Sequence, residues 1–92
     1  MTREQSAGLA RLMIRLPDVR VTLRLKGASD QILLDICESY DLAWDAVMHW
    51  SKSDLPRAKK ITAEYCCLVS ELEFEARQRA SVNPIPLPSD ME

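Results

Sequence analysis

Two long stretches in which apolar residues recur every three or four positions limit most strongly how this chain folds. The first covers about residues 30–51, with Ser29 as the expected N-cap and Asp30 in the first turn. Its apolar residues occupy one arc of a helix with about 100° per residue. They are Ile32, Leu33, Ile36, Cys37, Tyr40, Ala43, Trp44 and Val47. The pattern predicts one long helix with a single apolar face.

The second stretch begins near Pro56, which suits the first turn of a helix, and runs to about Ala80. One side carries a heptad-like seam with Val69 on its flank, formed by Ala58, Ile61, Tyr65, Leu68, Leu72 and Ala76. A thinner apolar stripe on another side comprises Ala63, Cys67, Ser70 and Phe74. A helix with two apolar sides contacts two neighbours, which a bare helical hairpin does not supply.

Residues 1–27 form a basic arm ahead of these helices. Thr2-Arg3-Glu4-Gln5 has the pattern of a capping box, which predicts a short helix over about 3–15, ending before Pro17. Residues 19–25 alternate apolar and polar side chains, which is typical of a β-strand. Because a lone strand leaves its backbone groups unpaired, it would pair with its copy in a second chain. The alternative is that this segment extends a basic helix or lies irregularly across the bundle.

Charge is strongly segregated along the chain, although the total is only −2. Such blocks predict that basic and acidic segments face each other, within one chain or between chains. An acidic stripe on the first long helix, formed by Asp30, Glu38, Asp41 and Asp45, is expected to face solvent. We expect Glu38, Asp41 and Asp45 to bind a protein partner. The net charges are +4 for 1–27, −5 for 28–50, +3 for 51–60, −2 for 61–80 and −2 for the remainder.

The final segment, 81–92, alternates proline with aliphatic residues between Val82 and Pro88. It is expected to run extended, in a polyproline-like conformation. One interpretation is a tail that lies on the bundle or stays disordered. The other is a short docking peptide for another protein.

The predicted architecture is mainly α: the basic arm 1–27, a hairpin of two long antiparallel helices over 28–80, and the tail 81–92. Two helices bury too little apolar surface for 92 residues, so we expect a homodimeric four-helix bundle. Three or four elements packed within one chain is the competing arrangement. The dimer or bundle contacts are assigned to Leu33, Ile36, Tyr40, Val47, Ile61, Tyr65, Leu68, Leu72 and Phe74.

The sequence offers little for catalysis or for binding a metal or cofactor. His49 is the one histidine, and Cys37, Cys66 and Cys67 lack the C-x-x-C spacing of zinc sites. Gly-rich phosphate loops and nucleophile motifs are also missing. We therefore expect no enzyme, no cofactor and no bound metal. No apolar run is long enough to span a membrane, and three unpaired cysteines suit a reducing cytoplasm.

Nucleic acid is the alternative partner, through Arg20, Thr22 and Arg24 on the polar side of 19–25. From Val19 to Trp50 the chain resembles the ribbon-helix-helix repressors: a strand, a helix to Tyr40, then 41–43 where that family turns. The resemblance covers about a third of the chain. It implies a dimer whose paired strands enter the major groove. Asp41 and Ala43 stand where the family has a glycine and a hydroxyl or amide residue.

The leading interpretation is a small cytoplasmic interaction protein of regulatory or adaptor type. It forms a homodimer and binds a protein partner through its charged surfaces. A DNA-binding regulator that uses the basic strand is the alternative.

Overall fold

A computed structural model describes residues 1–27 and 29–81. The described residues are mainly helical, as the sequence predicts, and contain four α-helices, one short 3₁₀ turn and no β-strand. Residues 82–92, where the extended proline-rich tail is predicted, lie outside this description.

The first helix, α1, spans Arg3–Arg15 and begins at the predicted capping box. The Thr2 hydroxyl accepts a hydrogen bond from the Gln5 amide at 3.0 Å, and the Gln5 side-chain oxygen accepts one from the Thr2 amide at 2.9 Å. These two bonds satisfy backbone donors that a helix start otherwise leaves unpaired. The helix ends at Leu16, because Pro17 excludes the helical conformation from the residue before it.

The segment after Pro17 is helical, so of the two alternatives predicted for 19–25 the helix is confirmed and the strand is wrong. A 3₁₀ turn covers Pro17–Val19, and the second helix, α2, covers Arg20–Lys26. The helix pairs its own backbone groups, whereas an isolated strand would need a second chain to do so. It also buries Leu23 completely and leaves Val21 and Leu25 57% and 67% exposed. The apolar residues that reach the core are spaced three and four apart, as on one side of a helix: Leu16, Val19 and Leu23.

The third helix, α3, spans Gln31–Ser51 without a break, through the position where ribbon-helix-helix proteins turn. Its N-cap is Asp30 and not Ser29. The Asp30 carboxylate accepts hydrogen bonds from the amides of Ile32 and Leu33, at 3.1 and 3.2 Å. A carboxylate at this position also interacts favourably with the positive end of the helix dipole.

The fourth helix, α4, spans Ala58–Ser81 and therefore begins two residues after Pro56. Contacts between α3 and α4 run in opposite directions along the two helices. Asp30, before the start of α3, pairs with Arg79 near the end of α4, and Tyr40 further along α3 contacts Glu73. The two helices are therefore antiparallel neighbours.

Helix α1 packs against one side of α3 at very short range. A methyl group at Gly8 would overlap the backbone carbonyl of Cys37, so only glycine fits at this crossing. Further contacts advance in the same direction along both helices, from Gly8 and Cys37 to Arg11 and Asp41. The N-terminal arm is thus an integral part of the packed structure.

The core joins α1, α2, α3 and α4 in one cluster. Leu12, Leu23, Leu33 and Tyr40 are completely buried. A single chain therefore encloses a core, which is the arrangement that competed with the two-chain bundle. The buried residues of the cluster are Leu9, Leu12, Leu16, Leu23, Leu33, Cys37, Tyr40, Ala43, Val47, Val69, Leu72, Ala76 and Ala80.

Candidate functional site

Ion pairs between helices use much of the segregated charge. Arg11 of α1 approaches two acids of α3: its Nε lies 3.6 Å from Asp41 Oδ1 and its Nη2 lies 3.5 Å from Asp45 Oδ1. Asp41 is only 7% exposed. Burial raises the pKa of the Asp41 carboxyl, and the nearby charge of Asp45 raises it further, while Arg11 lowers it. Arg11 therefore compensates acids that would otherwise repel each other.

A second polar cluster connects three helices around Glu73 of α4. One carboxylate oxygen, Glu73 Oε2, accepts a hydrogen bond from the Tyr40 hydroxyl at 2.6 Å and another from Arg15 Nε at 3.0 Å. Burial raises the pKa of the Tyr40 phenol to about 12, and the hydrogen bond to Glu73 acts in the same direction. The same carboxylate raises the pKa of Arg15 by hydrogen bonding and by its charge. This cluster fixes the end of α1 against the α3–α4 pair.

A third cluster closes the end of the hairpin near the start of α3. Arg79 Nε lies 2.8 Å from Asp30 Oδ2, and Lys26 Nζ donates a hydrogen bond to the Arg79 carbonyl at 2.8 Å. The hydrogen bond from Arg79 lowers the pKa of Asp30 most strongly. Lys26 thereby joins the end of α2 to the end of α4.

Arg77 of α4 forms a further ion pair with Asp18 in the 3₁₀ turn. Together these pairs show basic and acidic segments facing each other within one chain. The prediction that basic and acidic blocks face each other within one chain is therefore confirmed. Much of the segregated charge therefore positions helices and is not free to attract a partner.

The acidic stripe is placed only partly as expected. The expectation that it faces solvent is wrong for Asp41, which is buried beneath α1 because Arg11 and the core draw that side of α3 inward. Glu38 is half-buried, and the Asp45 side chain is 59% exposed. Whether Glu38, Asp41 and Asp45 bind a protein stays a prediction, but the three residues do not form one open surface.

The basic-arm residues assigned to nucleic acid lie on α2. Arg20 and Arg24 are exposed, and Thr22 is half-buried. Because they lie on a helix of seven residues, they cannot form the two-stranded ribbon implied by the ribbon-helix-helix resemblance.

The residues assigned to the dimer or bundle fall into two groups. Leu33, Tyr40, Val47 and Leu72 are buried in the chain's own core and offer no surface to a second chain. On α4 the inward side is turned slightly from the predicted seam, because Val69 is buried while Leu68 is 37% exposed. The members that keep exposed surface are Ile36, Ile61, Tyr65, Leu68 and Phe74.

Several of these exposed residues lie on the side of the hairpin opposite α1. Ion pairs mark the covered side, at Asp41 on α3 and at Arg77 on α4. Nine residues at about 100° each make two and a half turns of a helix, so residues nine positions apart lie on opposite sides of it. Ile32, nine residues before Asp41, therefore points away from α1, and Leu68, nine residues before Arg77, points away from the 3₁₀ turn that holds Asp18. We call this side the open face. It is formed by the exposed Ile32 and Leu68 and by the half-buried Ile36 and Ile61, of which Ile36 also packs against the core.

Acidic side chains border the open face. Glu64, Glu71 and Glu75 are exposed and lie four residues before, three after and seven after Leu68, which places them beside it on α4. Asp35 is exposed on α3, where it accepts a hydrogen bond from Gln31 at 3.0 Å. Within residues 1–27 and 29–81, no ion pair involves these four acids. The open face thus combines exposed apolar side chains with a border of acids that form no ion pair within the described part of the chain.

At one end the open face meets a shallow cleft between α2, α3 and α4. Leu25 and Ile32 supply its apolar surface, and Arg79 and Asp30 lie beside them. The sequence pattern contained Ile32, Ile36, Ile61 and Leu68 but did not show which side of the hairpin α1 covers. That position depends on Gly8 and on the ion pairs of Arg11 and Arg15, which join residues far apart in the sequence.

The cysteines and the histidine do not assemble into a site in the described part of the chain. Cys37 is buried, and burial raises the pKa of its thiol to about 11, while Cys66 and Cys67 are exposed free thiols. His49 stacks edge-to-face on Trp50, with ring centroids 5.2 Å apart. Over residues 1–27 and 29–81, no group of three or more His, Cys, Asp or Glu side chains is arranged to hold a metal ion.

Comparisons with family models, with curated proteins and with solved structures find no match to this chain. Among the described helices, none has the length and hydropathy that crossing a membrane requires.

Proposed function

We propose that this protein is a small, non-enzymatic interaction module of regulatory or adaptor type that binds a protein partner. The observation that carries the proposal is the open face. Ile32 and Leu68 are 54% and 37% exposed on adjacent antiparallel helices, although α1 covers the other side of α3. Exposed apolar side chains grouped on one side of a fold and bordered by polar residues are typical of protein-binding sites.

The apolar surface supports binding better than the charged surfaces do. Arg11 and Arg15 of the basic arm are engaged with acids of α3 and α4, and Asp41 of the acidic stripe is buried. Exposed ion pairs contribute little affinity, whereas buried apolar contacts usually dominate it. The partner therefore contacts the hairpin mainly through aliphatic side chains.

A homodimer belongs to the proposal as a separate contact. Phe74 is 63% exposed on the outer stripe of α4, away from the open face. Its neighbours on that stripe are small and exposed, which allows close approach of another helix: Ala63, Cys67 and Ser70.

Quantitative affinity capture tests the main proposal. The wild-type chain, Leu68→Asp and Leu42→Asp are immobilised at equal density and exposed to the same cell extract. The proteins that each chain retains are identified and quantified by mass spectrometry. Leu42 is a matched control because it is a leucine of α3 that is 54% exposed. It lies ten residues after Ile32, at a different angle on the helix.

We expect one or more proteins to be retained by the wild type and by Leu42→Asp but lost with Leu68→Asp. Circular dichroism verifies that both variants stay folded. Identical retained sets for all three chains would refute the proposal. Deletion of residues 1–27 is not a usable variant, because Leu9, Leu12 and Leu23 of that segment belong to the core.

A further inference from the structure

We propose that the open face takes an amphipathic helix whose apolar stripe is flanked by lysine or arginine. This inference rests on the proposed function and specifies the chemistry of the partner. The occupant is a helix of another protein and not a second copy of this chain.

The dimensions of the open face suit a helix. From Ile61 to the cleft at Arg79, the surface follows α4 for 18 residues, or about 27 Å at 1.5 Å per residue. Two antiparallel helices form a groove along their line of contact, in which a third helix can pack along both. Such helices present apolar side chains to the groove at every third or fourth position.

The border determines which helices bind. Glu64, Glu71 and Glu75 follow one edge of the open face, and Asp35 lies on the other helix. These acids form no ion pair among residues 1–27 and 29–81, and Arg79, four residues after Glu75, is engaged with Asp30. Lys26 also lines the cleft at this end of the face. A basic helix supplies the missing positive charge and is steered toward the site, whereas an acidic helix is repelled.

The same border disfavours a second copy at this site. If two copies met through their open faces, the acids of one border would lie close to the identical acids of the other. Like charges brought together at an interface oppose association. The outer stripe around Phe74 shares Glu71 and Glu75 with this border, so a homodimer formed there must hold these acids outside its contact.

Two labelled synthetic peptides test the inference. Both carry the same leucine stripe at helical spacing, one with lysine flanks and one with glutamate flanks. A scrambled lysine peptide of identical composition has no apolar stripe. Binding to the full chain is measured by fluorescence anisotropy at low and at physiological salt.

We expect the lysine-flanked helix to bind at least about tenfold more tightly than either other peptide, with an affinity that falls as salt rises. Glu75→Lys should weaken this binding about tenfold, and Leu68→Asp should abolish it. Glu4→Lys makes the same charge change on α1, on the covered side, and should leave the affinity unchanged.

Equal binding of the scrambled and lysine-flanked peptides would overturn the inference, because it would show attraction by net charge alone. Equal binding of the glutamate-flanked peptide would also overturn it. A wild-type dimer that Leu68→Asp converts to monomer would assign the open face to a second copy. If neither helix binds while affinity capture still shows a protein lost with Leu68→Asp, the partner chemistry is wrong and the proposed function stands.

Discussion

Gly8 of α1 lies directly against the backbone carbonyl of Cys37 in α3, at a distance that leaves no room for a side-chain carbon. This contact lets α1 approach α3 closely enough for Arg11 to reach Asp41 and for Leu12 to be completely buried. Gly8 therefore permits the close crossing of α1 and α3, and together with the ion pairs of Arg11 and Arg15 it places α1 on one side of the hairpin.

Gly8→Ala should destabilise the protein by about 1–3 kcal/mol, since the added methyl group forces α1 away from α3. In an ordinary helix the same change is stabilising, so the sign tests the contact itself. Urea unfolding followed by circular dichroism measures the effect. Ser6→Ala, at an exposed position of α1, should change the stability by less than about 0.5 kcal/mol. A stabilised Gly8→Ala variant would contradict the packing of α1 on α3.

Tyr40→Phe should cost about 1 kcal/mol at neutral pH, because it removes the hydrogen bond to Glu73. The folded-state pKa of Tyr40 is raised from 10 to about 12, so the protonated phenol stabilises the fold below pH 10. That contribution is lost as the pH rises from about 10 to 12. The urea midpoint of the wild type should therefore fall more steeply over this range than that of Tyr40→Phe. Tyr65→Phe is the control. If the urea midpoint of Tyr40→Phe falls with pH as steeply as that of the wild type, the raised pKa of Tyr40 is not the cause of the loss of stability.

Phe74→Ala should weaken self-association without changing the fold. The wild-type chain is expected to show a concentration-dependent dimer by sedimentation, and removal of the exposed ring should shift it toward monomer. Leu42→Ala removes an exposed side chain from α3 and should have no effect. A wild-type chain that stays monomeric at the highest concentration would refute the dimer.

Duplex DNA should bind weakly or not at all. Arg20 and Arg24 lie on a short helix, and other arginines of the arm are engaged with acids. Fluorescence anisotropy with mixed-sequence duplex in a salt series measures this directly. Tight binding that declines steeply with salt and is lost in Arg20→Ala/Arg24→Ala would instead favour the DNA-binding alternative.

Local sequence signals accounted for the start of α1 and for the two long helices. The capping box at Thr2 and Gln5 is formed as predicted, because it depends only on residues three apart. For residues 19–25 the sequence leaves a strand and a helix open, because Val19, Val21, Leu23 and Leu25 alternate as in a strand, whereas packing uses only Leu23 and part of Val19. Periodicity over seven residues does not reveal which apolar side chains find a neighbour.

The candidate site was predictable in its residues but not in its arrangement. Ile36, Ile61 and Leu68 were assigned to an apolar contact from their spacing, and they do remain at least partly accessible. Their separation from Leu33, Tyr40 and Leu72, which are buried, could not be inferred, because it depends on the rotation of each helix about its axis.

Helix periodicity and charge blocks are local properties, so they suffice to predict a helical chain in which opposite charges meet. Where those charges meet, and which apolar surface they leave uncovered, depends on the packing of the helices. Arg11, Arg15 and Arg79 reach acids tens of residues away, and Gly8 fixes the side of α3 on which α1 lies. Such contacts depend on how whole helices pack against each other, which the spacing within any one helix does not specify.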